Sequence, residues 1–444
     1  MLINFDNLTG ETMPETTDRY YRIAAINHCF SPGTPIGKRE LFVGRSDQIG
    51  RGIDAVYQRG THAIIFGERG VGKTSLANCL AEFIPNPSED PNAEPNFLTS
   101  RVNCTSVSTY ESIWREVFTK ITLTERVRQI GFQDARQDLV NYGDALPERF
   151  GPSEVQHLLD LATRQKKIIV AIDEFDKILD YQTKTLMADT IKALSDHAVN
   201  ATILLVGIGN TVDELILEHQ SVARCLRQIA MPRMDQDDVR ALAKTGINHF
   251  NLVCEDFPLT ADDTALTVIA MLSRGMPNYA HLLAQQACVS AIDSEQQTVS
   301  VDHVLGGTER ALSGVEQYVL SAYVQAVTSS HKNALYRDVL TAAAITPTDP
   351  LGFFAPGEVR KPLAEIVQRP IQMGTYMKHL NEFCTEERGS VLEKRGEAWK
   401  TRFRFRDPQM QPYAVIRALG DGNLNLGMLL QGMLGAGGLG TRGV

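Results

Sequence analysis

No run of about 18 consecutive apolar residues occurs in the 444-residue chain, so no segment reads as a membrane span. Paired cysteines are also missing. The seven present (Cys29, Cys79, Cys104, Cys225, Cys254, Cys288 and Cys384) are odd in number and scattered. With no CxxC and no Cys/His cluster, the pattern excludes a disulfide framework and a zinc site and points to a reducing compartment. A basic surplus is lacking as well: 44 Lys and Arg stand against 53 Asp and Glu, for a formal charge of -9. That balance argues against a chain coated in nucleic acid, but it allows one local basic patch. The first residues, with Asp6, Glu11, Glu15 and Asp18, lack the basic and apolar regions of a signal peptide. The expected location is cytoplasmic, with no membrane partner.

Composition supplies what folding needs. Hydrophobic residues at 43% and charged ones at 22% are ordinary globular values, so wholesale disorder is excluded and two to four domains are expected. Residues 1–43 read as an extended N-terminal arm, punctuated by Pro32, Gly33, Pro35 and Gly37. From 44 to 233, short apolar runs alternate with helical patterns, as in a parallel sheet flanked by helices. The strand candidates are Ala63–Phe66, Thr99–Asn103, Ile168–Ile172, Thr202–Val206 and Gln228–Met231. Residues 234–320 are helical in period throughout, opening at the N-cap candidate Asp235 with Val239, Leu242 and Ala243 on one face. Residues 321–420 form a third region of helices followed by two strand-like runs. The tail 421–444 carries eight glycines and is expected to be mobile, apart from one apolar turn near Leu424.

The strongest local signal is Gly67-Glu68-Arg69-Gly70-Val71-Gly72-Lys73-Thr74, a GxxxxGK[ST] match set between a strand run and a helical pattern. Phosphate oxygens need several donors converging on one point. Gly67, Gly70 and Gly72 let backbone N–H groups turn inward through Val71, and the following helix, from Lys73 through Ser75, adds the positive end of its dipole. Lys73 would reach the β- and γ-phosphates, and the Thr74 hydroxyl would ligate Mg²⁺. The second signal is Lys167-Ile168-Ile169-Val170-Ala171-Ile172-Asp173-Glu174, a buried strand ending in two carboxylates. Asp173 at the sheet's carboxyl edge would hold the magnesium, and Glu174 would polarise the attacking water as general base.

Together with the strand ending Gly207-Ile208-Gly209-Asn210, these motifs resemble AAA+ and STAND ATPases over roughly residues 25–420. The resemblance implies ATP and Mg²⁺ as cofactors. It also implies that Asn210 senses the γ-phosphate and that Gly44 and Arg45, in Phe42-Val43-Gly44-Arg45, line the adenine pocket. Arg224, with Arg227 as competitor, takes the place of an arginine finger acting on a neighbouring subunit, which implies a homo-oligomer in the ATP state. Gly275-Met276-Pro277 resembles the GxP turn whose proline touches adenine. No arginine follows closely behind it, as AAA+ members more often have.

The region 321–420 resembles the winged helix that follows the lid in origin-recognition ATPases and STAND proteins. Seven cations fall between Arg388 and Arg406, opposed by Glu393 and Glu397 only. Gly396 is placed as a hairpin tip, and Arg402, Arg404 and Arg406 alternate with Phe403 and Phe405. Such a face suits DNA phosphates. The expected architecture is thus an α/β P-loop core, a helical lid and a winged helix. The expected function is an ATP-hydrolysing switch acting on double-stranded DNA or, alternatively, on a protein partner as a signalling ATPase.

Overall fold

The structure, a computed structural model, describes residues 15–37, 39–84, 97–127, 136–164, 166–209, 220–315, 317–331, 334–349, 351–396 and 400–429. It divides into two compact units. One comprises Pro35–Arg233 with Asp349–Gly352; the other takes in the described parts of Met1–Thr34, Met234–Thr348 and Phe353–Val444.

The first unit is built on a five-stranded parallel sheet. Its strands are β1 (His62–Gly67), β2 (Phe97–Asn103), β5 (Lys167–Asp173), β6 (Ala201–Ile208) and β7 (Leu226–Ala230), in the order β2-β5-β6-β1-β7. β5 and β6 are buried along nearly their whole length, as expected of strands covered on both faces. The core beneath them gathers Tyr110, Trp114, Phe118 and Phe150, the first three on the helix Tyr110–Lys120. His62 sits in this interior, where Nδ1 accepts the N–H of Ile203 (3.0 Å). Burial, with Lys167 adding to it, holds its imidazole down to about 4. An antiparallel pair, β3 (Thr122–Val127) and β4 (Arg136–Asn141), is an addition that the sequence reading passed over.

The second unit is mainly helical. Gln236–Val253, Asp263–Ser273, Pro277–Asp293 and Val301–Ser313 are helices, in the region of helical period read from the sequence. Asp235 caps the first of them, its carboxylate accepting the Asp238 N–H (2.7 Å), and Val239, Leu242 and Ala243 are buried. The supposed extended arm is corrected here: Glu15–Cys29 is a helix packed on Gln236–Val253 and Pro277–Asp293. Ala25, Ile26 and Cys29 are its buried residues, a spacing of one and four that suits a helix face and that the prolines after it obscured. Besides a short parallel pair, β8 (Thr260–Ala261) and β9 (Thr298–Val299), this unit has in its C-terminal part an antiparallel hairpin of β10 (Leu392–Arg395) and β11 (Arg402–Phe405), and Phe354 bridges to Phe403. Each strand of the hairpin is shorter than its strand-like run in the sequence, Ser390–Lys394 and Trp399–Phe405. Of the glycine-rich tail, 421–429 is described; it includes a helical turn and buries Leu424 and Leu429. No helix among the described residues is long and apolar enough to cross a membrane.

Candidate nucleotide site

The sheet's carboxyl edge is where the local chain path concentrates chemistry. β1 runs out at Gly67, whose φ of 153° and 2.4 Å approach of a would-be Cβ to the Met231 carbonyl admit only glycine. Gly72, at φ 95°, turns the chain into the helix Lys73–Phe83, and Leu76 N–H donates back to its carbonyl (3.0 Å). The loop therefore delivers a helix N-terminus beside the end of a buried strand, an arrangement that attracts anions.

Lys73 is buried under this loop. Its ammonium donates to the carbonyls of Gly67 (3.1 Å) and Glu68 (2.6 Å). Loss of water lowers its pKa to about 8, against the pull of Asp176, Asp173 and Glu68. The Glu68 side chain pairs with Arg233 in a two-pronged contact (2.6 and 3.2 Å), nearly buried on both sides. Ser75 is engaged structurally, its hydroxyl accepting the Ile36 N–H (3.1 Å). Arg45 is buried at φ 66°, with Nη2 donating to the Val71 carbonyl (3.3 Å), and Gly44 precedes it at φ 71°. The loop and the Phe42–Arg45 segment are therefore in direct contact.

Asp173 ends β5 and is 3% exposed. Its Oδ2 accepts the Thr74 hydroxyl (2.8 Å) and the Arg101 guanidinium (2.9 Å), while Oδ1 accepts the Glu174 N–H (2.8 Å). Two hard oxygen donors, Thr74 Oγ1 and Asp173 Oδ2, thus converge at the base of the phosphate loop, and that donor set fits Mg²⁺. Among the described residues no group of three His, Cys, Asp or Glu side chains is assembled that could hold a metal ion. Glu174 follows in a left-handed conformation (φ 56°), and its half-exposed carboxylate pairs with Lys177 (2.7 Å). Asp176 accepts the Ile208 N–H (2.7 Å), tying the end of β6 to the same turn.

The other sequence candidates lie elsewhere. Asn210 falls outside the described residues. Arg224 precedes β7 at the amino edge of the sheet, opposite the phosphate loop, and pairs with Asp196 (2.9 Å). Arg227 contacts Gln58 (3.0 Å). Neither can serve its own loop from that edge. Pro277 is the first residue of its helix in the second unit, and Arg274 donates to the Thr346 carbonyl (3.1 Å). Arg101, Asn78, Asp176 and the Glu68–Arg233 pair were not anticipated. One signal was available for Arg101: a cation in an otherwise half-buried parallel strand needs a partner on its neighbour.

A phosphate loop and an acid pair at the carboxyl edge of a five-stranded parallel sheet define a P-loop nucleotide-binding unit. Residues 41–206 match the family model described as an AAA ATPase domain. Comparison with curated proteins gave no match. Among solved structures, the chain is similar to the ORC2 protein of Aeropyrum pernix, at 13% identity, 92% of this chain, 98% of that one and a TM-score of 0.47. It is also similar to the ORC1 protein of Aeropyrum pernix in complex with DNA (13%, 86%, 93%, 0.42). A third is the RuvB Holliday junction branch migration motor of Thermotoga maritima (13%, 88%, 99%, 0.43).

Proposed function

We propose that the chain is an ATP-binding and ATP-hydrolysing switch. The observation that carries this reading is the 2.8 Å contact between Thr74 of the phosphate loop and Asp173 at the end of β5. It joins the two motifs at one point, as phosphoryl chemistry requires and as neither motif requires alone. Inward-facing N–H groups of Gly67 to Thr74 would cradle the phosphates. The Lys73 ammonium, now on two carbonyls, would exchange them for β- and γ-phosphate oxygens. Thr74 and Asp173 would hold Mg²⁺, which when bound neutralises phosphate charge. Gly44, Arg45 and Pro277 are assigned to the adenine side, and Ser75 to the helix N-terminus beneath the phosphates.

Glu174 is assigned as the base. Leaving Lys177 costs little, because exposed ion pairs contribute about 0–1 kcal/mol. Asn210 is assigned to sensing the γ-phosphate, and Arg224 to a neighbouring subunit in an ATP-state homo-oligomer. Its pair with Asp196 is exposed and therefore also readily exchanged. For output we favour double-stranded DNA, contacted through a C-terminal winged helix. The supporting observation is the hairpin β10–β11, with Phe403 and Phe405 buried and Lys394, Arg395, Lys400, Arg402 and Arg406 exposed. A second reading, a signalling ATPase with a protein partner, is favoured by cations that are used internally, Arg404 and Arg388 among them. Arg404 pairs with Glu393, and Arg388 lies over the Tyr336 ring (3.7 Å) and donates to the Thr328 carbonyl (2.5 Å).

The test of the shared core is Glu174→Gln in single turnover. ATP is expected to bind as in the parent, with hydrolysis slowed roughly 10²- to 10⁴-fold. An unchanged cleavage rate removes Glu174 from the role of base.

A further inference from the structure

Asp173 is shared between the phosphate loop and a residue that no motif contains. Arg101 lies on β2, in register with Ala171 and two residues before the Asn103–Asp173 pair, so it is on the same sheet face as Asp173. Its guanidinium bridges two elements of the site. Nη2 donates to Asp173 Oδ2 (2.9 Å), and Nη1 donates to Asn78 Oδ1 (2.6 Å), one helical turn beyond Thr74. Asp173 is nearly buried, whereas the Arg101 side chain is about a third exposed (35%). Arg101 Nε is buried without a hydrogen-bond partner, so the guanidinium is held by its two outer nitrogens only.

We propose that Arg101 sets the divalent-cation requirement of the nucleotide site, by placing a positive charge on the carboxylate oxygen that a metal ion must share. The proposal rests on the Mg-ATP reading above. A charge-assisted contact on Oδ2 draws on the same lone pairs that Mg²⁺, or its bound water, would use. Asp173 carries the carboxylate that meets Thr74 at the base of the loop, and Arg101 partly offsets its charge. Metal affinity then depends on the charge brought by the triphosphate. Cation and nucleotide bind as a coupled pair, and cation alone binds weakly. Arg101 acts through Asp173 and is therefore a positioning residue.

The experiment measures binding rather than turnover. Binding of a fluorescent ATP analogue is followed as Mg²⁺ is titrated, and Mn²⁺ without nucleotide is followed by paramagnetic resonance. Arg101→Met is expected to lower the half-saturating Mg²⁺ about tenfold, the scale of one charge-assisted contact removed. It is also expected to create Mn²⁺ binding in the absence of nucleotide. Arg101→Lys, which keeps the charge, is expected to stay near the parent, and this separates charge from shape. Arg101→Gln provides the neutral variant should the Met substitution fail to fold, with the same expected shift. An unchanged or raised Mg²⁺ requirement in a folded neutral variant overturns the proposal. If Mg²⁺ has no effect on analogue binding by the parent, the Mg-ATP reading and this proposal fall together.

Discussion

The two units place their polar groups differently. In the sheet unit, β5 and β6 are apolar and buried nearly end to end, so Asp173 and Glu174 are the first polar side chains where β5 emerges. Chemistry is concentrated at one edge by the path of the backbone. In the helical unit charge is spread over several elements, and several cations pair with acids of the same unit. Arg19 and Arg310 share Asp293, Arg22 pairs with Asp256, and Arg404 pairs with Glu393. A motif whose chemistry follows from chain path can be read in a sequence. A charge whose meaning depends on its neighbour cannot.

The sharpest way to break that contrast is at Lys73. Its ammonium is desolvated under the loop, and ATP phosphates would be its natural partners. Lys73→Ala is expected to weaken ATP binding roughly a thousandfold, the scale of truncating one side of a buried charged hydrogen bond (about 4 kcal/mol). Titration calorimetry checks it. Binding as tight as the parent's would mean that the edge concentrates charge without using it on phosphate.

What the sequence made legible follows the same division. The inner strands β1, β5 and β6 stood out because strands covered on both faces must be continuous apolar runs, and the phosphate loop because its glycines have no substitute at φ 95° and 153°. The Asp235 cap and the buried face at Val239, Leu242 and Ala243 were legible as local periodicity. The helix Glu15–Cys29 was not. Its buried residues make a narrow stripe, and Tyr20 and Tyr21 stay exposed, so the pattern is faint beside the prolines that follow. The pair β3–β4 was missed although Thr122-Leu123-Thr124 alternates, because a two-stranded ribbon offers only one short apolar stripe. Arg101 was hidden for another reason: its meaning comes from Asp173, 72 positions away in sequence, and only strand pairing brings them together.

Acid is expected to test both units in parallel, with an intermediate effect. Each buries a histidine held down to about 4 chiefly by loss of water, His62 in the sheet unit and His281 in the helical unit. Above pH 6.5 neither folded nor unfolded imidazole takes up a proton. As pH falls below 6.5 the unfolded chain gains protons that the folded one refuses, so stability declines until about pH 4. Each histidine accounts for about 2 kcal/mol between pH 7 and pH 5. Denaturant titrations at the two pH values check this, with buried Trp114 reporting on the sheet unit. His62→Gln should remove about 2 kcal/mol of the pH dependence seen by Trp114, and His281→Gln should leave that signal alone. An unchanged dependence in His62→Gln would place the acid sensitivity elsewhere.

The smallest expected effect decides how far the helical unit departs from the sheet unit. If exposed cations of the hairpin meet DNA phosphates, each reversed contact removes roughly 0.9 from the slope of log K against log salt. Reversing Lys400 and Arg402 to Glu should therefore flatten that slope by about two units across all DNA sequences, with ATP hydrolysis in the absence of DNA retained. Arg404 is expected to behave otherwise, although it alternates with Phe403 and Phe405 in the same way. It pairs with Glu393 and lies 4.7 Å from the Phe353 ring centre, so its charge is already engaged within the hairpin. Arg404→Gln should leave the salt slope unchanged and cost about 1 kcal/mol of stability, the scale of a partly exposed ion pair with a ring contact. A slope that falls equally for Arg404 would mean that the internal pair opens on DNA and that partner choice is not fixed by the fold. If the parent saturated with ATP has no measurable DNA affinity at low salt, the DNA reading fails. The internal use of Arg388 and Arg404 then becomes the governing observation, and the hairpin is a switch arm for a protein partner.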